Sequence, residues 1–339
     1  MSSTLRLDDP SDAREAASEF THVHNAVQAE VARMMVGQQA VVRGVLSALF
    51  AGGHVLLEGV PGLGKTLLVS SISDAVDLSF RRIQFTPDMM PADIRGTNVL
   101  SEDGKGGTQL EFQPGPLIAN LVLADEINRA TPRTQSALLE SMQEKQISVG
   151  NRTIRLDEPF CVMATQNPVE QEGTYPLPEA QLDRFLFKLT VGYPAEEDYR
   201  TIMRRTTATE EIQLQAVTDA QTIVRLRHVV RAVPLPEHVE TEAIRIVMAT
   251  QPGNSYAPGI VNEVVALGAS PRGVQGLILA GKVRALLDGR FAVAGEDLRA
   301  VALDVLRHRV LVNFQGMSEG VSADDVITEV LASVPTVEG

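Results

Sequence analysis

The sequence predicts an α/β fold in which a largely parallel sheet is covered by helices on both faces and followed by an all-helical domain. Two observations predict it. Five short apolar runs, HVLLEGV (54–60), FRRIQF (80–85), NLVLADE (120–126), PFCVMATQN (159–167) and FLFKLTV (185–191), alternate with stretches of helical spacing. Short, nearly continuous apolar strands of this kind are buried on both faces, as in a parallel sheet with crossover helices. After YPAEED (193–198) the strand-like runs stop, and 196–206, 218–232, 237–251, 271–287 and 296–309 all carry helical spacing. A chain of 339 residues has room for both parts. The expected organisation is a polar, mobile stretch over 1–14, an α/β core over 15–194 and a helical domain over 195–339.

Along the chain, helical spacing from about 15 to 51 breaks at VGQ (36–38). The first strand then runs into a glycine-rich loop, and LLVSSISDAV continues as a helix. Two hairpins interrupt the rhythm of strands and helices. One, over about 97–113, turns through EDGKGG. The other is QISV-GN-RTIRL, whose two-residue loop Gly150-Asn151 suits a type II′ turn and sets Ile147 opposite Ile154. Both project from the body and are candidates for contact with another molecule. Between them Thr131 caps a helix with Pro132 at its first position. Farther on, Asp219, Ser270-Pro271 and Glu296-Asp297 mark helix starts.

Composition narrows the function. Formal net charge is −13, Trp is absent and aromatics are 4%, which weighs against broad phosphate-backbone binding and base stacking. A local basic patch would escape that average. Cys161, the one cysteine, lies in an apolar run and reads as a buried strand residue. No His pair has metal-ligand spacing, so no zinc site is expected. No run approaches the ~18 apolar residues of a membrane span, and the N-terminus lacks a signal-peptide core. A cytoplasmic protein is expected.

Three groups of residues carry chemistry. GVPGLGKT (59–66) fits G-x-x-x-x-G-K-[ST] at every position. Its glycines let backbone N–H groups curl round phosphates, and the helix behind it adds its positive end. Lys65 reaches the outer phosphates and the Thr66 hydroxyl can ligate Mg²⁺. The pattern arises by chance in roughly one chain in a hundred of this length, but a buried strand before it and a helix after it remove most of that risk. Second, Asp125 and Glu126 end the third strand. Behind a phosphate loop, the aspartate can hold Mg²⁺ through its water shell and the glutamate can activate the attacking water. Two acids at a strand end can also be plain loop residues. Third, Asn167 ends the fourth strand, where its amide either positions water or belongs to an Asn-Pro turn. Spacing alone does not decide.

Other residues are weighed against bland readings. Arg129 senses nucleotide state, faces another subunit, or is only solvated. Arg81 and Arg82 read as surface charges, His54 as structural, and Met89-Met90 as core packing rather than a sticky contact. Arg184, at the end of the proline-marked GTYPLPEAQLDRF, reads at first as a surface cation.

In order, GVPGLGKT, FTPDMMPADIRG, LADEINRATPRTQSALLESMQE and ATQNPVEQEGTYPLPEAQLDRF resemble the AAA+ ATPases, and within them the MoxR family. The resemblance is strong over about 36–191 and looser beyond. It implies ATP and Mg²⁺ as cofactors and a core sheet of order 5-1-4-3-2 with a helical lid. It makes Gly59, Val60, Pro61, Gly62, Leu63, Gly64, Lys65 and Thr66 the Walker A loop, with Leu67 following, and Asp125 and Glu126 the Walker B pair. Asn167 matches sensor 1, and Arg272 in GASPRG is placed as sensor 2, reporting lid rotation over ATP bound between core and lid. Gly37 and Gln38 resemble the segment bordering the adenine. The two hairpins resemble the helix-2 insert and the pre-sensor-1 hairpin. Arg184 matches the arginine finger, which acts on a neighbour's nucleotide and so implies a ring, usually a hexamer. A client protein and a partner carrying a von Willebrand factor A domain are further implied. Two rivals remain: a nucleic-acid motor, from the paired hairpins, and a regulatory switch with little turnover.

Overall fold

The computed structural model of the protein describes residues 10–60, 62–102, 108–167, 173–207 and 212–336. Two helices, α1 (Pro10–Met34) and α2 (Gln39–Ala51), flank the VGQ break. α1 starts at Pro10, which corrects the expectation of a mobile stretch reaching residue 14. Proline has its φ preset and no N–H to satisfy, so it suits a first helical turn, and Ala13 is already buried there.

Next come β1 (Val55–Glu58), α3 (Lys65–Ala75), β2 (Phe80–Gln84), the short α4 (Pro91–Arg95), and the antiparallel pair β3 (Gly96–Glu102) and β4 (Thr108–Pro114). After them follow β5 (Leu121–Asp125), α5 (Pro132–Glu144), the hairpin β6 (Gln146–Val149) and β7 (Arg152–Arg155), β8 (Cys161–Gln166), α6 (Glu179–Leu182) and β9 (Phe187–Thr190). The sheet runs β2-β5-β8-β1-β9, all parallel. Numbering its five strands in chain order gives 5-1-4-3-2, the order the resemblance implied.

Period-two alternation sends the strand side chains to two cores. Leu57, Leu123, Cys161, Met163 and Phe187 join α1, α2 and α3 in one cluster, and Leu56, Val122, Ala124, Val162 and Ala164 join α5 in the other. Cys161 is fully buried, and burial pushes its thiol up to about 12. In the second hairpin Ile147 faces Ile154 as expected. Gly150 has φ 58 and Asn151 has no positive φ, as a type II′ turn requires. The EDGKGG turn of the first hairpin lies largely outside the described residues. Met89 packs against the second core while Met90 is 58% exposed, so only the first methionine follows the packing reading.

The C-terminal region holds α7 (Glu196–Thr206), α8 (Ala220–Ala232), α9 (Glu237–Ala249), α10 (Gly259–Val264), β10 (Val265–Leu267), α11 (Pro271–Leu287), α12 (Gly295–Leu306), β11 (Leu311–Val312), α13 (Phe314–Ser318) and α14 (Ala323–Ser333). Asp219 and Ser270 are N-caps whose side chains accept backbone N–H groups of α8 and α11. The antiparallel β10–β11 pair corrects the all-helical expectation. Strands of three and two residues are too short to print a period of two. This region has no separate core: Ile223, Val247, Leu277 and Leu306 belong to the cluster that also covers one face of the sheet.

Three buried histidines, His24, His54 and His308, make the fold acid-sensitive. His24 packs against Phe20 and Phe50. His54 accepts the Val162 N–H at Nδ1 and contacts the Met142 carbonyl through Nε2, a structural role as read. Burial pushes all three down, His24 and His54 to about 4 from 6.5. The unfolded chain therefore binds more protons between those values. Stability from this source is complete above pH 6.5 and is lost as pH falls toward 4. The urea midpoint should drop over that window, and His24→Leu should flatten the profile.

Candidate active site

Parallel strands bring their carboxyl ends to one edge, and the candidate residues gather there. The phosphate loop leaves β1 and enters α3. Gly59 sits where an added Cβ would lie 2.5 Å from the carbonyl oxygen of Val191, the residue after β9, so a side chain would collide with the backbone there. Gly62 and Gly64 have φ 83 and 77, a conformation glycine adopts without penalty. Nothing lies within 4 Å of a Cβ built on Gly62, so the loop opens onto free space. Pro61 lies outside the described residues. Lys65 donates to the Gly59 carbonyl at 2.6 Å. Burial pushes its ammonium below the ordinary value, and the nearby Asp125 and Glu126 charges oppose that.

The acid pair is held from several sides. Thr165 on β8 donates to Asp125 Oδ1 (2.7 Å) and accepts the Glu126 N–H (2.8 Å). Asp125 Oδ2 accepts Arg82 Nη2 (2.6 Å) and Nε (3.2 Å). Glu126 Oε2 accepts Gln84 Nε2 (2.9 Å) and Arg129 Nη1 (3.0 Å). Glu126 itself has φ 56, in the left-handed region where non-glycine residues are uncommon and are retained mostly at functional positions. Asn167 is buried just past β8. A cavity of ≈ 360 Å³ joins Gly62, Gly64, Lys65, Thr66, Leu67, Arg82, Gln84, Asp125, Glu126 and Asn167.

A second cavity of ≈ 740 Å³ shares Gly62, Gly64 and Leu67 with the first, so the two meet along the loop. Its walls are Met34, Met35, Val36, Gln38 and Leu63 on one side and Pro194, Tyr199, Ile202 and Met203 on the other. Its lining is mostly apolar, with Arg205 and Thr206 adding polar groups. Gln38 has φ 56 and donates to the Gly192 carbonyl at 2.6 Å. Gly37 borders an adjoining cleft instead, and a Cβ there would lie 2.7 Å from Asp198 Oδ2. Val60 lines neither cavity.

Two candidates stand elsewhere. Arg184 and Arg272 line a separate cleft of ≈ 240 Å³ with Asp183 and Arg309. Arg272 Nη1 is 3.9 Å from Asp183 Oδ2, because the cap of its helix, Ser270, donates to the same carboxylate at 2.7 Å. Arg272 thus stands at this cleft rather than at the phosphate-loop cavity. Arg82 is exposed, as read, and in addition pairs with Asp125. The usable signal was strand parity, since Arg82 and Gln84 lie two apart on the strand whose Gln84 pairs with Asp125. Arg81 is exposed. Arg129 touches the acid pair rather than solvent alone.

Fold and site together define a P-loop ATPase of the AAA+ class. The family model for ATPases associated with various cellular activities matches 54–187, and the AAA lid model matches 258–330. The chaperone MoxR1 of Mycobacterium tuberculosis is 43% identical over 96% of this chain and 85% of its own. The protein MoxR of Methylorubrum extorquens is 34% identical over 98% of this chain and 99% of its own. A crystal structure of an ATPase candidate from Cytophaga hutchinsonii superposes with a TM-score of 0.90 at 40% identity, covering 97% of this chain and 99% of that one. The chain belongs to the MoxR family of AAA+ ATPases.

The Thr165 hydroxyl serves two partners in a fully buried position. Thr165→Val should cost about 1–3 kcal/mol in urea unfolding by stranding the Glu126 N–H and one Asp125 oxygen.

Proposed function

We propose that this protein hydrolyses ATP with Mg²⁺ in a homo-oligomeric ring of six subunits, in the cytoplasm. The cycle remodels or matures a client protein together with a partner carrying a von Willebrand factor A domain. The division of labour is a nucleotide-binding core to residue 194 and a lid from 195 onward. The observation that carries the reading is a division of charge. Lys65, Thr66, Asp125, Glu126 and Asn167 share one cavity, while Arg184 and Arg272 stand together at another cleft. A site so built is completed by the arginines of a second copy.

Within it, the backbone of Gly59–Thr66 cradles the phosphates, and Gln38 with Met35 borders the base. The Thr66 hydroxyl and Asp125 carboxylate are hard oxygen donors facing one cavity, a set that fits Mg²⁺ completed by water. Bound there, the ion would neutralise charge on the β- and γ-phosphates. Glu126 takes the proton of the attacking water, with Gln84 and Arg129 holding its Oε2. Asn167 orients that water. Arg184 supplies positive charge to the neighbour's phosphoryl group, supported by its place at a cleft apart from the phosphate loop of its own chain.

A protein client is favoured over nucleic acid by the first hairpin. Leu100 and Leu110 pair across β3 and β4 at 73% and 63% exposure. Neither strand contains Lys or Arg, and the turn adds a single Lys105, so the hairpin is a poor match for a phosphate backbone. The name of the Mycobacterium tuberculosis relative, a chaperone, agrees. Among the described residues no helix is long and apolar enough to cross a membrane.

Glu126→Gln should bind ATP normally and lose about 10²–10⁴-fold in hydrolysis. Arg184→Ala should do the same, and mixing the two variants should restore turnover, because each interface can then pair an intact base with an intact finger. Normal turnover by Glu126→Gln would defeat the hydrolytic reading, and no restoration on mixing would defeat the shared site.

A further inference from the structure

Arg309, three residues past the end of α12, belongs to the lid, yet its side chain is spent on the core. Its Nε donates to Asp183 Oδ1 (2.8 Å). Nη2 donates to the carbonyls of Asp183 (3.1 Å) and Phe185 (2.6 Å), and Nη1 to those of Leu186 (3.3 Å) and Val305. The preceding residue, His308, contacts the Phe185 carbonyl through Nε2 at 3.0 Å. Both side chains are buried. Every one of the core groups they hold lies on residues 183–186, immediately around Arg184.

Arg184 is otherwise poorly anchored. Its backbone N–H closes the last turn of α6 onto the Gln181 carbonyl, and its buried Nε has no partner among the described residues. The direction in which its side chain leaves the surface is therefore set by the peptides on either side. Those peptides are held by Arg309. A buried guanidinium is costly unless its donors are met, and this one meets them mostly on a single loop.

We propose that Arg309 is a positioning residue for Arg184, holding the 183–186 loop so that the finger is presented to the neighbouring subunit's nucleotide. The proposal rests on the reading of Arg184 as a finger acting in trans. It has a distinguishing consequence. A residue that merely ties lid to core damages the subunit that carries it. A residue that positions the finger damages only the site next door and leaves its own nucleotide site competent.

Arg309→Lys keeps a cation and Arg309→Gln keeps a neutral donor, and both lose the five-way clamp. Each should lower kcat about 10²-fold, as expected when a charged group is misplaced by about 1 Å. KM for ATP should stay nearly unchanged, since ground-state binding in the variant's own site is intact. Mixing either variant with Glu126→Gln subunits should raise ATPase activity above that of both proteins measured separately. The mixture of Arg184→Ala with Glu126→Gln is the control. If that control shows no recovery, the finger reading itself fails. If the control recovers and neither Arg309 variant does, including through loss of assembly in both, Arg309 is a packing residue and the positioning role is overturned.

Discussion

Parallel register in the central sheet is the constraint on which the site depends. Glu58 stands beside Gln166, Ala124 beside Ala164 and Gln84 beside Asp125, so four strands end at one level. The phosphate loop, the acid pair and Asn167 leave the sheet there as neighbours. Cores on both faces hold that register, because a slip of one residue would exchange the Leu123 and Val122 faces along a whole strand. The Thr165 hydroxyl then ties two adjacent strand ends together and carries sheet alignment into the position of Glu126.

Much of this was legible in the residues themselves. The loop GVPGLGKT, the acids ending NLVLADE and the asparagine after PFCVMATQ each follow an apolar run, so strand, break and function announce one another. The hairpin register at Ile147 and Ile154 followed from the length of one turn. What was not legible depended on pairings between distant segments. Arg82 is an exposed residue by local pattern, and only the alignment of β2 with β5 makes it a partner of Asp125. The location of Arg272 likewise depends on Ser270 reaching Asp183, a contact across 87 positions. Lid elements as short as β10, β11 and α13 carry too few residues to reveal a period.

Asp183 organises two arginines of unequal freedom. Arg309 is nearly dry and fully engaged, whereas Arg272 is 42% exposed and at the limit of ion-pair distance. Exposed pairs of the second kind contribute at most about 1 kcal/mol. One guanidinium is thus a fixture and the other is cheap to release. The same carboxylate can anchor the loop while leaving Arg272 able to follow a ligand.

The first helix has a consequence for how the chain is made. α1 packs against α11, and the Thr21 hydroxyl reaches the Leu286 carbonyl, 265 positions later. During synthesis at ~5–20 residues per second, α1 waits some tens of seconds for the helix it will pack against. Closing so long a loop adds little to the free-energy cost, which grows only with the logarithm of length. The burden is time instead: α2 and α3 cover part of α1 early, but the face that meets α11 stays open on the nascent chain until most of the protein exists.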